Sequence, residues 1–233
     1  MSKSVKIILE IVLAALIVLL AWLIITSVQK PVKFNKELDA RSQVAVQRLK
    51  DIRTLQVAFK GVNGHFTSSM DSLKLFYESG KMDITMQIGS NDDSVAVANT
   101  EAIKKASKKL TPEQITAKLQ EAYAQGQKVV FSVTTQIPVK DTLFNNRPDF
   151  CVDSLYYIPF SGKQLVEMEA TIKPVSGVQV PLFQARMPYR ALCLGMDNQL
   201  RINKDAECRD LERYEGLQVG SIETPNNNAG NWE

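Results

Sequence analysis

Few residues of this 233-residue chain have the types and spacing that chemistry requires. His65 is the single histidine, and no carboxylate or thiol stands beside it in sequence, which favours a structural or solvent-facing role over that of a ligand or base. Asp92 and Asp93 lie in a Gly-Ser-Asn-Asp-Asp turn that could loosely ligate calcium, but the spacing of a calcium loop is absent. Glu167 and Glu169 would share one strand face, where paired carboxylates can do acid–base work but more commonly face solvent.

The sequence motifs of common catalytic and metal sites are missing from the chain. It has no Gly-x-Ser-x-Gly, P-loop, Gly-x-Gly-x-x-Gly, His-Glu-x-x-His or Cys-x-x-Cys segment. Its three cysteines are an odd number, so at least one thiol lacks an intrachain partner; Cys193 and Cys208 could form a disulfide, or all three could be small buried residues. We therefore predict no catalytic residue, no cofactor site, no metal site and no enzymatic activity.

The strongest pattern is an apolar run of 22 residues, 7–28, that contains one charge, Glu10. At about 1.5 Å per residue, a helix of this length covers about 33 Å, enough for a hydrocarbon core of about 30 Å. A cleaved signal peptide has a shorter apolar region and a small-x-small cleavage site, which does not follow this run. The pattern predicts a short tail at 1–6 and a transmembrane helix at 7–28.

The residues around this run bear on orientation and location. A short tail before a long apolar run is typical of a signal-anchor, with the N-terminus cytoplasmic and the bulk outside, although a bare count of Lys and Arg favours the reverse. The chain has many Asn residues but no Asn-x-Ser/Thr acceptor, which fits a bacterial inner membrane with a periplasmic domain.

Glu10 allows two interpretations. It lies about one helical turn from Lys6, so its carboxylate could reach the membrane surface by snorkelling. Because a charge buried in a membrane usually has a partner, Glu10 is equally a candidate contact with another membrane helix.

The distribution of charge argues against a nucleic-acid partner. The net charge is +3, but residues 1–36 hold five lysines and one glutamate, which leaves 23 basic and 24 acidic residues beyond them. A nucleic-acid-binding domain needs a basic face, which this nearly neutral remainder lacks. The predicted partners are the lipid bilayer and other membrane or envelope proteins, in a homo- or hetero-oligomer.

An amphipathic helical pattern follows Pro31, which is expected to close or kink the membrane helix. Over about 36–60, apolar residues recur at helical spacing opposite a charged side. This neck stripe consists of Leu38, Ala45, Leu49, Ile52 and Phe59. It could pack on its own domain, which is commoner, or pair with another helix as a short coiled coil, which its place after an anchor favours.

The rest of the chain predicts an α+β domain with a mostly antiparallel sheet. A second short helix, 69–79, would complete a helical neck over 36–80, and the alternation in Met82–Ile88 indicates a strand. Two polar helices, at 100–109 and 111–125, indicate a helical insertion at about 100–126. Further strands are predicted at 129–139, 155–160, 166–172 and 178–183, the last at a sheet edge because of Pro181. The extracytoplasmic domain would cover 81–223, before a flexible tail at 224–233 that is poor in apolar residues.

The segment after the amphipathic helix carries a short motif, Asn-Gly-x-Phe-x-x-Ser-x-x-x-Leu, formed by Asn63, Gly64, Phe66, Ser69 and Leu73. With its surroundings, 44–76, it resembles the neck of type IV pilin-like proteins and type II secretion pseudopilins, in which a membrane helix runs into an amphipathic helix. Glu10 is similar to the N-terminal glutamate of that family, which implies a role in packing between subunits. The family's processing site, a Gly before Phe or Met, has no counterpart here. The whole chain also looks like single-pass envelope proteins of the Bacteroidota group, a likeness that implies no activity.

Anchor, neck and a domain without catalytic motifs together predict a non-enzymatic, single-pass inner-membrane protein. It would be a structural or assembly subunit of a bacterial envelope machine for secretion, pilus-like assembly or energised transport. The alternatives are a pilin-like or pseudopilin filament subunit, and a periplasmic ligand-binding or sensing module, which a well-formed pocket in the β-rich half would favour.

Overall fold

The computed structural model describes residues 3–233, without the side chains of 3–6, 8, 9 and 26. It shows a mixed α/β architecture with antiparallel sheets and a long apolar N-terminal helix, as the sequence predicts. The helices are α1 (Lys3–Asn63), α2 (Met70–Ser79), α3 (Ser94–Ala106), α4 (Pro112–Ala124), α5 (Val139–Thr142), α6 (Tyr189–Leu192) and α7 (Asn198–Asp210). The strands are β1 (Lys81–Ile88), β2 (Phe131–Pro138), β3 (Glu167–Val175), β4 (Val178–Pro188) and β5 (Gly216–Gly220).

The chain forms two compact units. The helix–sheet unit contains the residues up to 74 together with 151–233, and the hairpin unit contains 75–150. This division corrects the prediction of one domain over 81–223, because β1 and β2 form a two-stranded sheet of their own, separate from the sheet of β3, β4 and β5.

α1 runs without interruption for 61 residues, so Pro31 lies inside the helix and neither closes it nor separates anchor from neck. Proline removes one backbone donor and crowds the preceding turn, but the residues on both sides of Pro31 are helical and the helix continues past it. The sequence predicts an end of the amphipathic helix at about residue 60, and α1 ends slightly later, at Asn63. Gly64 follows at a φ of 77°, with its N–H donating to the Lys60 carbonyl at 2.8 Å. Gly64 therefore closes the last turn in a left-handed conformation that suits glycine.

The second half of α1 packs against β4 and β5 of the three-stranded sheet. β4 is the central strand, in the order β3-β4-β5, which corrects the edge position predicted from Pro181. The physical reason is that β5 pairs only with Gln184–Pro188 of β4, so Pro181 has a strand neighbour on one side alone and its missing N–H breaks no ladder. Phe183 is fully buried and stands in the core of this unit.

Arginines of α1 attach the loops of the helix–sheet unit to the helix. Arg41 donates from Nη1 to the carbonyls of Leu192 and Leu194, at 3.0 and 2.9 Å. Arg48 donates to the Tyr157 carbonyl at 2.6 Å. Charge-assisted hydrogen bonds of this kind are stronger than neutral ones, so they hold these loops at defined positions along the axis of α1.

Two segments of the helix–sheet unit differ from their predicted structure. Residues 155–160, predicted as a strand, begin within a 3-10 turn over Val152–Tyr156. The tail at 224–233, predicted to be flexible, makes defined contacts instead: Gly230 bridges Val219, and Asn231 exchanges hydrogen bonds with Gln218. Backbone pairing along β5 and asparagine side chains supply the contacts that apolar residues do not.

The hairpin unit places α3 and α4 between the two strands of its β-ribbon, as the predicted insertion requires. The insertion begins at Ser94, earlier than the predicted residue 100, because Asp93 caps α3 by accepting from the N–H groups of Val95 and Ala96. α4 starts with a capping box between Thr111 and Gln114. Its small core comprises Leu119, Ala122, Val129 and Phe131.

Candidate functional site

Two features of the helix–sheet unit could carry function, and the first is the N-terminal half of α1. From Glu10 onward this part of the helix is long and apolar enough to cross a membrane, and none of its apolar window is buried within the chain. Large side chains such as Leu16, Ile17 and Trp22 are 49%, 58% and 59% exposed. An exposed apolar surface of this extent is typical of a segment that contacts lipid or another protein.

The predicted neck stripe belongs to the interior of the protein. Leu38, Ala45, Leu49 and Ile52 are buried in the helix–sheet unit, and Phe59 is half-buried with its ring 5.8 Å from that of His65. Of the two alternatives for this stripe, packing on its own domain is therefore the one realised. A partner of the neck would have to contact the positions of α1 that remain exposed, which include Val44 and Val57.

The second feature is a polar pocket of about 440 Å³, which lies where the ends of β3 and β4, helices α6 and α7 and the loop before β5 meet. Its charged lining comprises three arginines and three carboxylates: Arg190, Arg201, Arg213, Glu167, Asp205 and Glu215. Tyr214 and Pro188 complete the wall. The volume lies in the range of about 300–1,000 Å³ that is usual for small-molecule sites.

The loop before β5 is held close to the end of β4. The Tyr189 N–H donates to the Glu215 carbonyl at 2.9 Å, and Gly216 follows at the first position of β5. A Cβ on Gly216 would lie 2.7 Å from the Cα of Pro188, so only glycine allows this approach. The approach brings Tyr214 and Glu215 to the pocket.

Asp205 is the most buried charged group of the pocket, with its side chain 9% exposed. Asp205 Oδ2 accepts from Arg201 Nη1, one turn earlier on α7, whereas Oδ1 is buried without a hydrogen-bond partner. Burial raises the pKa of the Asp205 carboxyl, and this outweighs the opposite effect of the Arg201 guanidinium. The free oxygen is an acceptor that lacks a donor.

Tyr214 contributes a second unpartnered polar atom, its buried hydroxyl. The guanidinium carbon of Arg186 lies 5.2 Å from the centre of the Tyr214 ring and holds it by a cation–π contact. Burial, followed by the charge of Glu167, raises the pKa of Tyr214 to about 12. At neutral pH the phenol is therefore protonated and available as a hydrogen-bond donor.

The other pocket carboxylates already have cationic partners. Glu167 pairs with Arg190 at 3.3 Å, and Glu215 pairs with Arg209, which lies on α7, at 2.8 Å. Arg213 is exposed, and the described part of the chain offers its guanidinium no ion pair. Within the described part of the chain, the pocket thus presents one free cation, one free acceptor and one free hydroxyl.

The residues that the sequence singled out have mostly structural places. His65 is exposed and its Nδ1 lies 2.9 Å from the Asn63 carbonyl, while Asp93 caps α3 and pairs with Lys128 at 3.0 Å. Glu10 is exposed on the apolar half of α1. Cys193 is buried and Cys208 is half-buried, and both are free thiols in the structure, so the disulfide considered between them is not formed.

Glu167 is recognisable in the sequence as a candidate site residue, whereas the pocket that it lines is not. For Arg201 and Asp205 the sequence does contain a signal, because opposite charges four residues apart meet on one face of a helix and form an ion pair. Tyr214 and Arg213 lie in an irregular loop with no pattern of their own.

Among the described residues, no group of three or more His, Cys, Asp or Glu side chains is arranged to hold a metal ion. No family model, curated protein or solved structure matches this chain.

Proposed function

We propose that this chain is a non-enzymatic, single-pass protein of a bacterial inner membrane that serves as a structural or assembly subunit of an envelope machine. The observation that carries the proposal is the division of α1 into two halves of opposite character. The first half is apolar and exposed, and the second is part of the core of a folded unit.

The continuity of α1 gives this arrangement a mechanical consequence. Phe34, at 7% exposure, is the first buried residue after the apolar run ends at Val28. Six residues of helix correspond to about 9 Å, so the folded unit would stand directly at the membrane surface on a continuous helical connection. A displacement of the helix within the bilayer would move the folded unit with it, which suits an assembly subunit better than a flexible tether would.

The orientation that we propose has the N-terminus in the cytoplasm and both units in the periplasm. Lys3 and Lys6, which precede the apolar run, support this orientation, and the lysines and arginines of the long C-terminal part count little against it because long domains translocate largely regardless of their charge. Within the bilayer, Glu10 would be the contact with a partner helix, since an isolated carboxylate there is costly.

The test combines fractionation, protease access and native electrophoresis of the full chain. We expect it in the membrane fraction after carbonate extraction, cleaved by protease in spheroplasts but protected in intact cells, and in a complex larger than the monomer. Leu16→Arg combined with Leu20→Arg should release it from the membrane, since each central arginine opposes insertion by about 3 kcal/mol. Val57→Arg is the matched control, because Val57 and Leu16 are both 49% exposed on α1. A soluble wild-type chain, or a strictly monomeric one, would overturn the proposal.

A pilin-like or pseudopilin filament subunit is the second candidate. The unbroken course of α1 favours it, because in that family the membrane helix runs into the amphipathic helix that carries the domain. Mass spectrometry of the mature N-terminus separates the two candidates: a chain that retains Met1 or Ser2 has not been processed as a prepilin, whereas a start within the apolar run would support filament assembly.

A further inference from the structure

The polar pocket of the helix–sheet unit has unused binding capacity that membrane anchoring does not explain. Asp205 Oδ1 and the Tyr214 hydroxyl are both buried atoms without a hydrogen-bond partner among the residues that the structure describes. A buried polar group without a partner typically destabilises a protein by about 1–3 kcal/mol, and by more where it is charged. Two such groups lining one cavity indicate that the cavity is shaped for something that satisfies them.

The free groups differ in what they require. Asp205 Oδ1 is an acceptor beside a single guanidinium, so it needs an N–H or O–H donor, best a positive one. Arg213 is an exposed cation at the pocket without an ion pair among the described residues, so it is available to bind an anion. The Tyr214 hydroxyl can donate to an anion or accept from a donor.

The balance of charge in the lining favours a ligand that carries both a positive and a negative group. The lining carries three positive and three negative side chains. A simple anion at Arg213 would leave Asp205 Oδ1 without a donor, and a simple cation at Asp205 would leave Arg213 unpaired. A molecule that carries both an ammonium and a carboxylate satisfies both groups at once.

We propose that this pocket binds a small zwitterion of amino-acid or dipeptide size, with its ammonium at Asp205 and its carboxylate at Arg213 and Tyr214. The volume of about 440 Å³ accommodates a ligand of that size. Arg201 is a positioning residue, because its ion pair with Oδ2 holds the Asp205 carboxylate while Oδ1 remains available. The site is independent of how the protein assembles in the membrane.

Calorimetry on the full chain in mild detergent tests this proposal with L-alanyl-L-alanine as the probe. N-acetyl-L-alanyl-L-alanine lacks the ammonium, and L-alanyl-L-alaninamide lacks the carboxylate. We expect saturable binding of the zwitterion and at least about ten-fold weaker binding of either analogue, since each loses a charge-assisted hydrogen bond. Equal binding of all three, preferential binding of sodium sulfate, or no binding at all, which would mean that water alone fills the cavity, would overturn it.

Variants assign the contacts. Arg213→Gln and Tyr214→Phe alter groups without a hydrogen-bonding partner in the described chain, so both proteins should fold, which circular dichroism would verify. Each variant should bind the dipeptide more weakly than the wild type does, and for Arg213→Gln we expect an affinity about ten-fold lower. Asp205→Asn should abolish the preference for a free ammonium. Lys173→Gln, on the far part of β3, is the matched control and should change nothing. Wild-type affinity in both Arg213→Gln and Tyr214→Phe would show that the dipeptide binds elsewhere.

Discussion

The side-chain amide of Gln56 makes hydrogen bonds with both backbone groups of Thr67. Gln56 Nε2 donates to the Thr67 carbonyl at 2.6 Å, and the Thr67 N–H donates to Gln56 Oε1 at 3.1 Å. Gln56 is fully buried in the helix, so this pair is shielded from water. It holds the chain that leaves α1 against the helix, where Phe66 then enters the core with its ring 4.7 Å from that of Phe183.

Gln56→Leu should therefore destabilise the helix–sheet unit. Leucine has a similar size but leaves the backbone donor and acceptor of Thr67 without partners, which corresponds to a loss of roughly 2–3 kcal/mol in the free energy of unfolding. Denaturant unfolding followed by circular dichroism measures this value. Gln43→Leu on an exposed position of the same helix is the control and should change stability by less than about 0.5 kcal/mol. Equal effects of the two substitutions would contradict a special role for the Gln56–Thr67 pair.

A buried glutamine of this kind marks the limit of prediction from sequence. The apolar side of the second half of α1 and the two helices inserted between β1 and β2 follow from local rules of spacing, and the structure contains both. Gln56 lies within the apolar side of α1, and only the position of Thr67, eleven residues later, explains its burial.

The polar pocket could not be predicted from the sequence because it, too, depends on residues that are distant in the chain, here much farther apart than Gln56 and Thr67. Glu167, Arg190, Asp205 and Tyr214 come from four separate segments, and their proximity depends on the pairing of β4 with β3 and β5. Residues 155–160 show the complementary error, since an aromatic and apolar run satisfies a strand pattern but begins here in a 3-10 turn. Local patterns define elements, whereas tertiary pairing decides which side chains meet.

Gly216→Ala should disturb the wall of the polar pocket. The added Cβ would collide with the backbone of Met187 and Pro188, which cannot move without breaking the β4–β5 pairing. Overpacking of this kind typically lowers stability by about 1–3 kcal/mol. Gly61→Ala is the matched control, since Gly61 is helical with open space around its Cβ position, and it should stabilise by up to about 1 kcal/mol. Thermal unfolding of both variants shows whether each substitution raises or lowers stability. A stabilised Gly216→Ala variant would contradict the close approach of Gly216 to Met187 and Pro188.

Alkaline conditions should destabilise the helix–sheet unit. Burial raises the pKa of Tyr189 and Tyr214 to about 12 and that of Cys193 to about 11. In the unfolded chain these groups ionise near their ordinary pKa values of about 10 and about 8.5, so above those values the unfolded state releases protons that the folded state retains. The free energy of unfolding should therefore be level near pH 7 and fall as the pH rises from about 9 towards 12.

Denaturant titrations at a series of pH values measure this fall. Tyr189→Phe and Tyr214→Phe should each make the slope shallower above about pH 9 and leave it unaltered between about pH 6 and 8, where the phenols are protonated in both states. A slope in the alkaline range that both variants leave unchanged would show that other groups cause it.

Pro31→Ala should strengthen the connection between the two halves of α1. Pro31 lacks the N–H that would donate to the Ser27 carbonyl, at the position where the apolar run gives way to the folded part of the helix. Alanine restores that bond and is about 3 kcal/mol more favourable within a helix. Amide hydrogen exchange over residues 27–36, in detergent, should therefore slow markedly in the variant. Pro112→Ala is the matched control, because Pro112 occupies the first turn of α4, where no such bond is lost and exchange should hardly change. Unchanged exchange around Pro31 would mean that the wild-type helix is already as rigid there as an uninterrupted one, and that the proline does not soften the junction between the apolar run and the folded unit.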